Sequence, residues 1–302
     1  MIAIDLGSNT FRVISYDCKT RRWGREFERI VRTADGMHLT GRISDASAER
    51  IVHAARDARK LFDFENDTVV AVTTAAMRMA ANAGEVLERI ETEGGVRFRV
   101  IGDDEEAALT MKAVRNRLEL LELDADDFVL IDIGGGSTEV MFYRGGAFES
   151  RSFPVGIVTV AQRCEGPETV RKELEKALEP VREYVRAYYA KQGKPATFVA
   201  TAGTPTTIAA FLKGMTYETY DAAQINGTRL TLDQCGEALN GLLALGDAER
   251  AVYVGVGKET LIVAGVVIVQ AFYELLGFDE AVIVDDGLRE GVALAYCEGG
   301  FR

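Results

Sequence analysis

The chain has 302 residues, a net charge of −12, and 47% apolar against 27% charged residues. That is long for one core and ordinary for a folded protein, so two globular domains are expected. The acidic balance excludes a general nucleic-acid binder and an anionic-membrane binder, which need the opposite sign. An anionic ligand would have to be held locally, by backbone N–H groups, a few cations and a divalent metal.

Taken in chain order, the first predicted element is a strand over residues 2–6. It runs into Asp5-Leu6-Gly7-Ser8-Asn9-Thr10 and a second strand over 11–16. Short apolar runs bounded by Gly and Ser read as strands joined by a tight turn. Ile51, Ala54, Ala55, Ala58 and Leu61 recur at helical spacing and predict a helix over 46–62, with Ser44 and Asp45 as cap candidates. Residues 69–72 are a strand candidate, and 105–123 are helical in composition. The opening pattern then returns. A run over 129–133 leads into Gly134-Gly135-Gly136-Ser137-Thr138, and a strand follows over 139–143. Repetition at about half the chain length predicts two related domains, 1–120 and 121–302, divided in the acidic stretch 119–127.

Beyond the second copy, Val170, Leu174, Leu178, Val181 and Val185 form one face of a long helix that Pro180 kinks or divides. A strand over 198–200 precedes the Gly-Thr segment 202–207. The apolar run 261–269 reaches Gly277 only across Gln270 and Glu274, so it is too short and interrupted to span a bilayer and reads as a buried core helix. A strand over 281–284 leads into residues 285–291 and a last helix. Cys18, Cys164, Cys235 and Cys297 are isolated, and the opening segment lacks the basic start of a signal peptide. Reduced thiols in a cytoplasmic protein are therefore expected. His38 and His53 lie near no cysteine in sequence, which argues against a zinc site.

The two turns carry the most chemistry. Glycine lets the backbone approach a ligand, successive N–H groups form a nest for anions, and Ser8, Asn9, Thr10, Ser137 and Thr138 add side-chain donors. Asp5 and Asp132 end their strands where a carboxylate could hold hydrated Mg²⁺. One such turn usually only turns the chain; two matched copies point to gripping a phosphate. Asp103-Asp104-Glu105-Glu106 reads first as a solvated helix start, with room for one carboxylate that takes a proton from water. Arg78 stands just after a strand, where α/β folds gather ligand groups. Gly203-Thr204-Pro205 opens an apolar helix whose N–H groups suit both an ordinary cap and an anion.

Seven segments in order resemble the Ppx/GppA phosphatase family, a branch of the actin/Hsp70/sugar-kinase superfamily. They are Asp5 to Arg12, Ala34 to Met37 followed by Gly41 to Ser44, Thr74 to Asn82, Asp104 to Ala107, Ile131 to Glu139, Thr201 to Ala210 and Asp286 to Gly291. The resemblance implies two duplicated ribonuclease-H-like (actin-like ATPase) α/β domains with a cleft between them. It also implies hydrolysis of the terminal phosphate of polyphosphate or guanosine pentaphosphate. In that scheme Glu106 is the general base. Asp132 and Glu139 serve the metal and the attacking water, and Arg78 contacts phosphate. The backbones of residues 7–9 and 134–137 cradle the phosphoryl group, with Gly203 and Thr204 beside them. The family's Arg-Ala-Asp triplet is replaced here by Lys258, Glu259 and Thr260. Charge, cysteines and the opening segment together lead to the expectation of a cytoplasmic protein with no nucleic-acid or membrane partner, and the oligomeric state stays open, with a homodimer as one option. The alternatives are a non-catalytic sensor of guanosine tetra- or pentaphosphate, and a phosphotransferase using the same loops.

Overall fold

Three strands open each half of the chain. In the computed structural model, which describes residues 1–201 and 203–300, β1 (Ile2–Leu6), β2 (Thr10–Asp17) and β3 (Arg22–Ile30) form an antiparallel meander. β4 (Val69–Thr73) pairs parallel to β1, and β5 (Phe98–Val100) pairs parallel to β4. The sheet order is β3-β2-β1-β4-β5. The plan then repeats. β6 (Asp127–Ile133), β7 (Thr138–Arg144) and β8 (Ala147–Phe153) form a second meander, and β9 (Thr197–Thr201) runs parallel to β6. β10 (Thr228–Thr231) and β11 (Glu280–Ile283) complete the order β10-β11-β9-β6-β7-β8. Parallel strands need crossovers, and helices supply them: Asp45–Leu61 between β3 and β4, and the pair Gly166–Ala177 and Glu179–Gln192 between β8 and β9. This is the duplicated α/β architecture expected from the sequence.

Local chemistry explains the elements. The helix Asp45–Leu61 starts at Ser44, whose Oγ accepts from the Ser47 N–H, and it buries Ile51, Ala54, Ala55 and Ala58 on one face. The long helix foreseen around Pro180 is two helices that meet at Leu178, with Pro180 in the first turn of the second, where its missing N–H costs nothing. The apolar run becomes the helix Leu261–Leu276, buried nearly all round and stopped by Gly277 at φ 73°. No helix among the described residues is long and apolar enough to cross a membrane. β3 and β8 went unforeseen because each is a sheet edge of charged and exposed residues with little apolar alternation.

The chain forms two compact units, Met1–Ala113 with Gly287–Arg302, and Val114–Asp286. The boundary foreseen at 120 thus lies near 113. Residues 287–300, assigned by sequence to the second half, pack in the first unit. There Val292, Ala293 and Leu294 of the helix Leu288–Cys297 join Ala3, Ile14 and Val72 in one apolar cluster. The expectation of four reduced cysteines is corrected. Cys18, just beyond β2, is bonded to Cys297 at the end of that helix, with Cα atoms 5.3 Å apart. A separation of 279 residues hides the pair from any reading of local spacing. Cys164 and Cys235 are free thiols.

Candidate active site

Because β1, β4 and β5 run parallel in near-level register, the segments that follow them share one edge of the first sheet. The β1–β2 turn, Gly7 to Asn9, is closed by Gly7 N–H to Thr10 O at 3.0 Å. Its carbonyls face the segment after β3: Val31 and Arg32 N–H donate to Asn9 O, and Ala34 N–H to Ser8 O, all at 2.9 Å. Among the described residues, nothing accepts from the amides of Ser8 and Asn9. A turn whose carbonyls are tied on one side presents its N–H groups on the other, which is what an anion nest requires.

Arg78, on the short helix Ala75–Met79, donates through Nη1 to Ile101 O (2.7 Å) and to Glu106 Oε2 (3.0 Å), and through Nη2 to Asp103. Glu106 lies in the first turn of the helix Asp103–Leu120 and is half-buried, while Asp104 is exposed and Glu105 pairs with Arg99. Among the four acids, the fold therefore joins Glu106 and Asp103 to the arginine singled out in sequence.

A charged row crosses the meander. Asp5 stands opposite Arg12, and Arg12 opposite Glu28, with Arg12 Nε 3.2 Å from Glu28 Oε2. Arg289, from the last helix, is buried and bonded to Glu290 (2.5 Å) and Glu26 (2.7 Å). Asp5 keeps a part-exposed edge, but its Oδ1 is buried without a hydrogen-bond partner. Burial pushes its carboxyl up from 3.8 to about 6, against the opposing pull of Arg12 and Arg289. A folded-state value above the unfolded one gives stability that is full below pH 3.8 and lost as pH rises through about 6. Asp5→Asn does not titrate. Its stability relative to wild type is expected to improve by up to roughly 3 kcal/mol between pH 4 and pH 7, read by urea unfolding at both pH values; a constant difference would contradict the shift.

The second unit repeats the device. Gly134 N–H donates to Ser137 O at 2.9 Å, as Gly7 does to Thr10. The segment after β8 again takes the carbonyls: Ile157 N–H to Gly134 O (3.0 Å), Val158 N–H to Gly135 O (2.9 Å), and Thr159 N–H to Gly135 O (3.3 Å). Among the described residues, nothing accepts from the amides of Gly135 and Gly136. Thr138, a phosphate donor on the sequence reading, is fully buried with its Oγ1 donating to Val155 O at 2.5 Å, so its hydroxyl braces the turn.

The row across this meander differs. Asp132 stands opposite Glu139, and Glu139 opposite Ser152. Glu139 is 5% exposed, and its Oε1 accepts from Ser137 Oγ (2.8 Å) and Ser152 Oγ (2.7 Å). Two carboxylates directly opposite one another repel. A divalent cation would relieve that repulsion, and two carboxylates completed by water and phosphate oxygens suit Mg²⁺. In the first unit the matching row places Arg12 where the second has Glu139, so Asp5 faces a cation and fits a metal less well. No cluster of three or more His, Cys, Asp or Glu side chains with metal-site geometry occurs among the described residues.

Gly203 and Thr204 open the helix Gly203–Leu212; Ala202 lies outside the described residues. Thr204 is buried, and a Cβ added at Gly265 would come within 2.6 Å of its Oγ1, so its side chain packs on the apolar helix. Thr207 Oγ1 bonds Gly203 O at 2.5 Å. Lys258 Nζ lies over the Tyr217 ring at 5.4 Å. Asp286 is buried and receives Arg117 through two bonds, 2.7 and 3.0 Å. Sequence reasoning missed Ser152 and Arg289. Ser152 acquires meaning only through cross-strand register, and Arg289 only through the return of the last helix to the first unit.

The fold is thus a doubled α/β unit with a strapped turn at the corresponding edge of each sheet. The sequence model of the Ppx/GppA phosphatase family matches residues 25–298, and the chain belongs to that family. It is similar to exopolyphosphatase 2 of Mycobacterium tuberculosis, at 27% identity over 97% of each chain. It is also similar to a guanosine-5'-triphosphate,3'-diphosphate pyrophosphatase of Aeromonas hydrophila, at 29% identity over 96% of this chain and 58% of that protein. Among solved structures it resembles the Ppx/GppA enzyme of Aquifex aeolicus, with 30% identity, a TM-score of 0.74, and 97% and 98% of the two chains covered.

Proposed function

We propose that the protein removes the terminal phosphate of inorganic polyphosphate or guanosine pentaphosphate by attack of water. The observation that carries this reading is the strapped turn, built twice: each is closed by the same bond, Gly7 N–H to Thr10 O and Gly134 N–H to Ser137 O, and each has carbonyls tied by the segment after the third strand. Phosphoryl transfer asks mainly for positioning and charge neutralisation, and outward-facing amides supply both without cationic side chains. Glu106 takes the proton as the water oxygen bonds to the terminal phosphorus and the bridging P–O bond breaks, which leaves a chain one phosphate shorter. Arg78 holds Glu106 by one side of its guanidinium and neutralises charge beside the phosphate. In the first unit the amides of Ser8 and Asn9 are offered to phosphoryl oxygens, and in the second those of Gly135 and Gly136, with the helix start at Gly203 and Thr204 as a further donor of that unit.

Asp132 and Glu139 would hold Mg²⁺, which when bound offsets phosphate charge. Ser152 orients Glu139 from the neighbouring strand. Ser152→Ala is expected to weaken Mg²⁺ binding about tenfold, as loss of a ligand's own support commonly does; this is read by calorimetric titration with Mg²⁺, and unchanged affinity would remove Ser152 from the site. A cytoplasmic setting goes with this reading, where the Cys18–Cys297 bond would have to withstand reducing conditions. The experiment that tests the substrate is phosphate release with Mg²⁺ from polyphosphate of defined length against guanosine pentaphosphate at equal concentrations of phosphate ends. Release from one alone assigns the enzyme; tight binding with no release from either would favour a sensor.

A further inference from the structure

Gly156 is extended, at φ −131° and ψ 162°, so its backbone does not require glycine. Space does. A Cβ at this position would lie 2.4 Å from Gly135 O and 2.5 Å from the carbonyl carbons of Gly135 and Gly136. These are backbone atoms of the triple-glycine turn, and no rotamer change relieves the collision. In contrast, a Cβ at Gly241 in the same unit meets only the Phe211 ring, at 2.9 Å. Around Gly156 the same short segment donates three hydrogen bonds to the turn and receives one from Thr138. We infer that Gly156 is a positioning residue of the phosphate turn: its missing side chain lets the strap close on Gly135 and Gly136 and sets where their amides point. The inference rests on the proposed phosphate-handling role of residues 134–137.

Ordinary contact begins near 3.4 Å, so a methyl at Gly156 displaces the turn by about 1 Å. A misplacement of that size costs on the order of a hundredfold in rate. Ile157→Pro is an independent second variant. Ile157 is the first residue of the helix Ile157–Ala161, where proline is tolerated, and the change deletes its N–H bond to Gly134 O.

The test compares Gly156→Ala, Ile157→Pro and, as a packing control, Gly241→Ala. One readout is phosphate release; the other is hydrogen exchange of the Gly134, Val158 and Thr159 amides, whose bonds hold the turn and its strap and whose exchange needs no substrate. The expected result is a loss in kcat of about a hundredfold for Gly156→Ala and about tenfold for Ile157→Pro. Exchange at Gly134, Val158 and Thr159 should be faster in both, and wild-type behaviour on both readouts is expected for Gly241→Ala. If wild type releases no phosphate, the functional reading fails while the exchange data still decide the role of Gly156. Wild-type exchange at Gly134, Val158 and Thr159 in Gly156→Ala and Ile157→Pro, or equal effects from Gly241→Ala, would overturn the inference.

Discussion

Glu106→Gln is expected to lose at least about a hundredfold in kcat while still binding substrate, in line with what a positioned general base contributes. The expectation rests on three features. Glu106 is half-buried in the first turn of its helix, where neighbouring Asp104 is exposed and Glu105 is turned to Arg99. Its Oε2 is held at 3.0 Å by Arg78, whose Nη1 is itself fixed on Ile101 O. The end of β5 brings this carboxylate to the same sheet edge as the Gly7–Asn9 turn. Glutamine keeps the shape and accepts from Arg78 through its carbonyl, but it does not take a proton from water. KM should change little, because the loss falls on the transition state and not on ground-state binding. Asp104→Asn in the same turn is the comparison that should leave kcat unchanged. Wild-type turnover in Glu106→Gln would move the base elsewhere.

Reduction of the Cys18–Cys297 bond is expected to have the largest effect on stability. The bond closes a loop with a sequence separation of 279 residues and ties the last helix to the end of β2. Chain-entropy reasoning gives ~5 kcal/mol for a loop of that length, which corresponds to a fall in Tm of roughly 10 °C or more. Cys18→Ser and Cys297→Ser should each lower Tm by the same amount, and the double variant by no more than either single one. The helix Leu288–Cys297 also carries Arg289, which bonds Glu26 and faces Asp5 electrostatically, so activity should fall together with stability in the reduced protein. A Tm insensitive to reductant would show that the apolar packing of Val292, Ala293 and Leu294 holds the helix alone.

Much of this architecture is legible in sequence because its signals are local. The paired Asp-apolar-Gly turns, the capped helix after Ser44, the division at Pro180 and the buried run 261–276 depend on neighbours within a turn or two of chain. What sequence does not carry is set by pairing across strands and by chain return. β3 and β8 are edge strands without apolar alternation, so nothing in them announces that Glu28 faces Arg12 or that Ser152 faces Glu139. The duplication suggests equal roles for Asp5 and Asp132. Yet the residue opposite each differs, arginine in one and glutamate in the other, and that single difference makes the first pair attractive and the second repulsive. Thr138 and Thr204 look like ligand donors in sequence, but their side chains are buried against Val155 and Gly265. Placement of residues 287–300 in the first unit likewise needs the tertiary fold.

The most direct test of the hydrolytic reading is phosphate release from polyphosphate with Mg²⁺ in ¹⁸O-labelled water. The account predicts free orthophosphate carrying one solvent oxygen per release, and near-complete loss of that signal in Glu106→Gln. Phosphate appearing on an added acceptor such as ADP, with no labelled orthophosphate, would contradict it and make the protein a phosphotransferase.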